Sequence, residues 1–318
     1  DVTIDNGTTA LGVQGTVSGN LALTSGEAIT DSAALSVLGT TTVTTDVADK
    51  TITLDSLAST GAVLLTTSGT TGDVVIDNGT TALDLGASTI SGTLSATSGA
   101  AAGIVDSGNI AVSGDVTLTT DANNGVINVG TLQQSGGDLV LTTNGSGDAT
   151  VVNNAAIDFG ASSVGGALSA TASAGTITQN GGTLTVAGTS AFTTSTADQA
   201  VTLSNTANAL TGAVSLTTSG TAGDVTIDNG TTALGVQGTV SGNLALTSGG
   251  AITDSGALNV SGTTTVTTDV DDITITLGTL ASTGNVILTT QGTAGDVTID
   301  NGTTALGVQG TVSGNLAL

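Results

Sequence analysis

Cysteine, proline, methionine, tryptophan, tyrosine and histidine are all missing from this chain, and its aromatic residues number two, Phe159 and Phe192. Without cysteine there is no disulfide framework, although secreted bacterial β-repeat chains also do without it and have nothing to misoxidise. Without large aromatics or methionine, the usual fillers of irregular space, a core has to be built from Val, Leu, Ile and Ala. Such side chains suit a narrow, regular interior in which β-branched residues stack on their like. Basic charge is nearly absent as well: Lys50 stands alone against 25 acidic residues, for a formal charge of −24. Phosphate recognition needs clustered Lys and Arg, so nucleic acid is excluded as a partner and anionic membrane surfaces are disfavoured. No apolar run reaches the ~18 residues of a spanning helix, so no membrane insertion by a helix is expected. No basic segment leads into an apolar one, and the sequence reads as starting after any targeting signal.

What is present is repetition. The phrase DVTIDNGTTALGVQGTVSGNLAL occurs without change at Asp1 to Leu23, Asp224 to Leu246 and Asp296 to Leu318. Weaker copies open at Asp73 and Asp148, so long repeats of 72–76 residues start near 1, 73, 148, 224 and 296. Residues 1–318 therefore read as one continuous repeat array, in which each unit packs on its neighbours. The last copy stops within a strand pattern, which leads us to expect a window of a longer array or a subunit that stacks on its own kind.

Period-two alternation recurs throughout, as in Thr51-Ile52-Thr53-Leu54 and Val116-Thr117-Leu118-Thr119, the pattern of strands with one buried face. Asn-Gly and Ser-Gly pairs, which supply positive φ at sharp corners, separate these runs. A mean hydropathy of +0.38 argues against disorder, and no segment has the period and caps of a helix. A finer phrase, Gly-x-[VL]-x-[LA]-Thr-[TS], appears at Gly19, Gly61, Gly92, Gly114, Gly137, Gly212, Gly242 and Gly284, and as GALSATA, with Ala in the last place, at Gly166. Its shortest spacings predict coils of about 22 residues, with spacings near 42 as doubled coils and those near 30 as coils with an insertion. Three coils per long repeat is the favoured count, four shorter ones the alternative. A string of β-sandwiches would also use Asn-Gly hairpins, yet it lacks any reason to repeat a short phrase within each long repeat. The expected fold is all-β, a right-handed parallel β-solenoid or β-helix.

Chemistry is sparse. Some β-solenoids act on acidic polysaccharides with a Lys, Arg or His base, and only Lys50 is on offer. Carboxylate pairs could hydrolyse a glycoside, and Asp269, Asp271 and Asp272 lie close together in TTDVDDITI. The corresponding TTDVADKTI carries Asp46, Asp49 and Lys50, so the acids change from copy to copy and no enzyme is expected. Asp269, Asp271 and Asp272 are also the candidate Ca²⁺ ligands, since that ion takes six to eight oxygens. The pairs Asp1/Asp5, Asp73/Asp77, Asp224/Asp228 and Asp296/Asp300 recur too far apart to share an ion, the calcium-wrapping nonapeptide is absent, and no cofactor is expected. Asn6, Asn78, Asn144, Asn229, Asn259 and Asn301 stand in N-glycosylation triplets, although Asn-Gly is equally wanted for the turn. Ice binding would need Thr-x-Thr at one place in every coil, whereas TTTVTT is found only at Thr40 and Thr263.

The phrases AITDSGALNVSGTTTVTT (Ala251 to Thr268), ALDLGASTISGTLSATSG (Ala82 to Gly99) and GGDLVLTTNGSGD (Gly136 to Asp148) resemble the β-strand repeats of giant bacterial surface proteins. They are similar in particular to filamentous-haemagglutinin-like adhesins exported by two-partner secretion or autotransport. The resemblance implies a right-handed β-helical shaft, an extracellular or cell-surface location, and a part in adhesion, biofilm or surface-layer structure. The expected partner is the chain itself, as a stalk, filament or sheath that assembles end to end or laterally. The alternative is an adhesin whose shaft meets glycans or cell surfaces.

Overall fold

The structure, a computed structural model, describes residues 1–318, and every ordered element in it is a β-strand. The chain falls into two compact units, Asp1–Ala155 with Val164–Gly166, and Ala156–Ser163 with Ala167–Leu318. Each is a β-solenoid of parallel strands stacked in coils of about 22 residues. In the first unit one ladder runs through Val2–Asp5, Leu21–Ser25, Thr41–Thr45 and Val63–Thr66, with Val2, Leu21, Thr41 and Val63 in register. The opposite ladder runs through Leu11–Val17, Ile29–Val37, Ile52–Leu54 and Val74–Asp77, with Leu11, Ile29, Ile52 and Val74 in register. The second unit repeats the plan, with Val225, Leu244, Thr264, Val286 and Val308 along one ladder.

Two kinds of side alternate around each coil. The straight side is a single strand such as Leu21–Ser25, whose residues alternate between buried and half-buried. The bent side turns a corner, either within one strand, as in Leu11–Val17, or as a pair such as Ile52–Leu54 with Leu57–Ser59. At Leu11–Val17 the corner is Gly15, at φ +118, where the register to the next coil shifts.

A long repeat holds an odd number of sides. From Asp1 they are Val2–Asp5, Leu11–Val17, Leu21–Ser25, Ile29–Val37, Thr41–Thr45, the pair Ile52–Leu54 and Leu57–Ser59, and Val63–Thr66. That is seven sides, or three and a half coils, neither of the two counts expected from the spacing. The next repeat opens with a second straight side, Val74–Asp77, which joins the opposite ladder between Ile52 and Leu94. In the second unit, likewise, Val225 pairs with Val201 and Leu244, while its copy Val297 lies on the other ladder between Ile275 and Leu316. The spacings near 30, from Gly61 to Gly92 and from Gly212 to Gly242, are thus one and a half coils and contain no inserted loop. The spacings of 42 are doubled coils as expected, because Thr41–Thr45 lies between Leu21–Ser25 and Val63–Thr66.

Inward positions carry the core, including Leu23, Val43, Leu65 and Ile76 in the first unit and Leu216, Val236, Leu246 and Val266 in the second, none more than 1% exposed. Each such side chain contributes about 1.5–3 kcal/mol on burial. Both aromatics lie in the second unit, fully buried, with ring centroids 6.3 Å apart at 80°. Phe192 fits because its register neighbour one coil earlier is Ala170.

Candidate functional site

The polar groups gather at the corners, and their hydrogen bonds run from one coil to the next. The last position of the fine phrase is, except at Ala172, a buried hydroxyl; threonine there closes its own turn, and Ser25 reaches back to the turn before it. Thr218 Oγ1 donates to the Gly223 carbonyl at 2.7 Å, Thr290 Oγ1 to Gly295 at 2.9 Å, and Ser25 Oγ to Thr9 at 2.8 Å. Glycine follows from crowding at the head of the phrase. A Cβ on Gly212 would lie 2.5 Å from the Gly188 carbonyl oxygen of the preceding coil, which already accepts the Gly212 N–H at 3.1 Å.

The asparagine of Asp-Asn-Gly-Thr-Thr-Ala is the most deeply committed polar side chain. Asn229 is 0% exposed. Its Oδ1 accepts the Leu210 N–H at 2.7 Å, and its Nδ2 donates to the carbonyls of Leu210, Thr232 and Ala233 at 3.0–3.1 Å. The carboxamide thereby extends a backbone ladder through a turn where the main chain cannot reach, as buried polar groups require. Asn78 makes the same bonds to Ser59, Thr81 and Ala82, and Asn301 to Ser282, Thr304 and Ala305. Three of the six glycosylation candidates, Asn78, Asn229 and Asn301, are thus buried in the folded chain. Asn6 is half-buried, and Asn144 and Asn259 are exposed.

The carboxylates are spent in a similar way. Asp1, Asp73, Asp224 and Asp296 each accept, through Oδ1, a backbone N–H one coil ahead, from Asn20, Thr93, Asn243 and Asn315 at 2.7–2.8 Å. Asp5, Asp77, Asp228 and Asp300 instead accept the glycine N–H two residues on, at 2.8–2.9 Å. The paired acids of each long repeat thus have separate tasks. Asp31 spreads its two oxygens over the Asp55 and Ser56 amides at 3.0 and 2.8 Å, and burial, the largest influence on it, raises its pKa.

A further corner places a non-glycine residue in the left-handed region: Asp49 at φ 62, Asp198 at φ 63 and Asp272 at φ 61. Each Oδ1 takes two amides of the next coil's loop: Thr70 and Thr71 for Asp49, Thr221 and Ala222 for Asp198, Thr293 and Ala294 for Asp272, all at 2.6–2.9 Å. Those amides hold all three carboxyls below their ordinary value of 3.8. Asn124, at φ 63, fills the same place with an uncharged oxygen that accepts the Ser146 N–H at 2.8 Å. The sign of the pH effect follows. A lowered folded pKa means a contribution to stability that is present above the unfolded value and lost as pH falls through the folded one. Acid titration should loosen the Asp49, Asp198 and Asp272 corners below about pH 4, while Asp31, shifted upward, acts in the opposite sense. Amide hydrogen exchange at Thr293 and Ala294 should quicken with acid relative to Ser146, and Asp272→Asn should abolish that difference. Equal acid responses at the Asp272 and Asn124 corners would show that the carboxylates do not carry it.

Of the calcium candidates, Asp272 is the residue holding Thr293 and Ala294, and Asp269 and Asp271 are exposed neighbours. No group of three or more acidic side chains is arranged to hold a metal ion. The chain's one glutamate meets its one base across a coil: Lys50 Nζ lies 2.9 Å from Glu27 Oε2. In the later copy both are replaced, by Ile273 and Gly250, so the pair comes and goes as a unit. Being partly exposed, it adds little to stability.

The outward faces carry what the sequence reading missed. Register brings Asp228, Thr247, Thr267, Thr289 and Thr311 into one row, and Thr171, Thr193, Thr217 and Thr239 into another within the same unit. The signal was the Thr of the fine phrase itself, which falls at one place in every straight side that carries the phrase, while the side opening a long repeat has Asp there. Rungs of a sheet lie about 4.8 Å apart, so these hydroxyls form evenly spaced rows.

A family model described as Repeats of unknown function (DUF5649) matches residues 1–69, 71–128, 146–217 and 222–289. Each later match opens two residues ahead of Asp73, Asp148 and Asp224, so the family's unit is the repeat of seven sides. No curated protein and no solved structure matches the chain.

Proposed function

The chain belongs to the family of Repeats of unknown function (DUF5649), and from that premise we propose that it is a structural β-solenoid of the cell surface or extracellular space. It acts as stalk, filament or sheath material that associates with copies of itself, and it is not an enzyme. One observation carries this reading: the repeated corner carboxylates and carboxamides, such as Asp1, Asn229 and Asp272, are committed to backbone amides and carbonyls of neighbouring coils. Such corner bonds stiffen a shaft and leave little to converge on a substrate. The resemblance to filamentous-haemagglutinin-like surface proteins supports the same location.

Negative-stain images and sedimentation across a concentration series test the proposal. Linear or laterally bundled assemblies that grow with concentration are expected. A chain that stays monomeric at every concentration would sink it. A second reading, an adhesin whose shaft meets glycans, rests on the threonine rows, which offer hydroxyls at a regular spacing to a polyhydroxylated chain. Glycan-array binding that is lost when Thr267 and Thr289 become valine, without assembly, would favour that alternative.

A further inference from the structure

The chain contains chemically similar Asn-Gly pairs in two very different settings. In any such pair the glycine nitrogen can attack the asparagine Cγ. A C–N bond closes a five-membered succinimide, the Cγ–Nδ2 bond breaks, and the glycine N–H proton passes by way of solvent to Nδ2, which leaves as ammonia. Water then opens the ring at either carbonyl, giving aspartate or isoaspartate. The reaction needs a carboxamide free to rotate and a glycine N–H free to lose its proton.

At Asn78-Gly79, Asn229-Gly230 and Asn301-Gly302 the fold denies both. Each carboxamide is held by backbone partners on two sides, as described above. Each glycine N–H is donated to the Oδ1 of the preceding aspartate, Asp77, Asp228 or Asp300, at 2.8–2.9 Å. A carboxylate acceptor stabilises the proton on that nitrogen. At Asn144-Gly145 the setting is different. Asn144 is exposed at the end of the strand Leu139–Asn144, and one hydrogen bond restrains its side chain, from Nδ2 to the Asp121 carbonyl at 3.0 Å. No aspartate precedes the pair, since residue 143 is a threonine.

We propose that Asn144 is a site of spontaneous deamidation in the folded chain, and that the asparagines of the repeated Asp-Asn-Gly turn are protected from the same reaction by the coil they complete. The consequence at Asn144 is local. Its product carboxylate faces the Asp121 carbonyl where an N–H stood, so one inter-coil bond is exchanged for a repulsion, and the isoaspartate form also lengthens the backbone at that corner.

The test is ageing of the intact folded chain in mildly alkaline buffer, followed by cleavage before aspartate and peptide mass spectrometry. The fragments 77–83, 138–147, 228–253 and 300–318 differ in composition and report on Asn78, Asn144, Asn229 and Asn301 separately. Conversion at Asn144 is expected to outpace the three turn asparagines by about tenfold or more, the factor that about 1.4 kcal/mol of local opening free energy sets. In denaturant all four should convert at comparable rates. Equal rates in the folded chain would overturn the proposal, and so would an Asn144 that stays intact when folded and reacts only when unfolded.

Discussion

Replacing Asn229 with alanine should lower stability by about 3 kcal/mol or more, the largest single loss expected from a polar residue here. Truncation removes a side chain that is 0% exposed and leaves the Leu210 N–H and the carbonyls of Leu210, Thr232 and Ala233 without the partner it supplies. Each buried group left without a partner costs about 1–3 kcal/mol, tempered where water can enter. Asn229→Asp separates loss of hydrogen bonds from loss of volume. Its shape is kept and Leu210 can still donate, but three carbonyls then face a carboxylate with no proton to give. At neutral pH that variant should be no more stable than Asn229→Ala. It should recover in acid, because a carboxyl whose folded pKa is raised contributes below its unfolded value and loses that contribution as pH rises through the folded one. Urea unfolding at two pH values, read by hydrogen exchange at Leu210, measures both effects. A loss below about 1 kcal/mol for Asn229→Ala would mean that water replaces the side chain at little cost.

Phe192→Ala should cost about 3–5 kcal/mol, since the ring is fully buried against Phe159 and a cavity would remain in a close-packed interior. Its rung neighbours cannot collapse into the space, because Ala170 and Leu216 are fixed on either side by the parallel ladder. Phe192→Leu keeps most of the volume and should cost less than about 1.5 kcal/mol. Solenoids need not unfold in one step, so the reading is again by exchange, at amides of Leu168–Ala172 and Val214–Thr217. If the two variants were equally destabilised, the ring pair and not the filled volume would be what matters.

Much of this architecture was legible in the sequence because a parallel ladder stacks like on like. The fine phrase located straight sides such as Leu21–Ser25 and Val286–Gln291 and gave the coil length. It overlooked Thr41–Thr45, Ser190–Thr194 and Thr264–Asp271, whose first inward residue is a hydroxyl in place of Val or Leu. Those hydroxyls are buried, and Thr41 and Thr264 each meet a serine hydroxyl one coil on, Ser59 and Ser282, at 2.9 Å. A pattern drawn from apolar residues could not register them. The half-coil was hidden for the same reason, since a count of coils assumes that each repeat ends on the side where it began. The acids were counted as charge, while their work lies in which amide each one accepts. That depends on a partner about 20 residues away and on left-handed backbone at residues such as Asp272.

The odd number of sides gives the repeat a parity. A phrase stacks on the residues about 20 before and after it, and these neighbours are alike on either ladder: Val74 lies between Ile52 and Leu94, and Val297 between Ile275 and Leu316. Folding is therefore blind to parity, and gaining or losing one repeat leaves every rung content while moving each later phrase to the opposite flank. Gaining or losing two restores the original facing. An external reader is not blind to this. Within a unit, successive copies offer such a partner the same words on alternate flanks, so two adjacent copies never present a phrase to it from the same side.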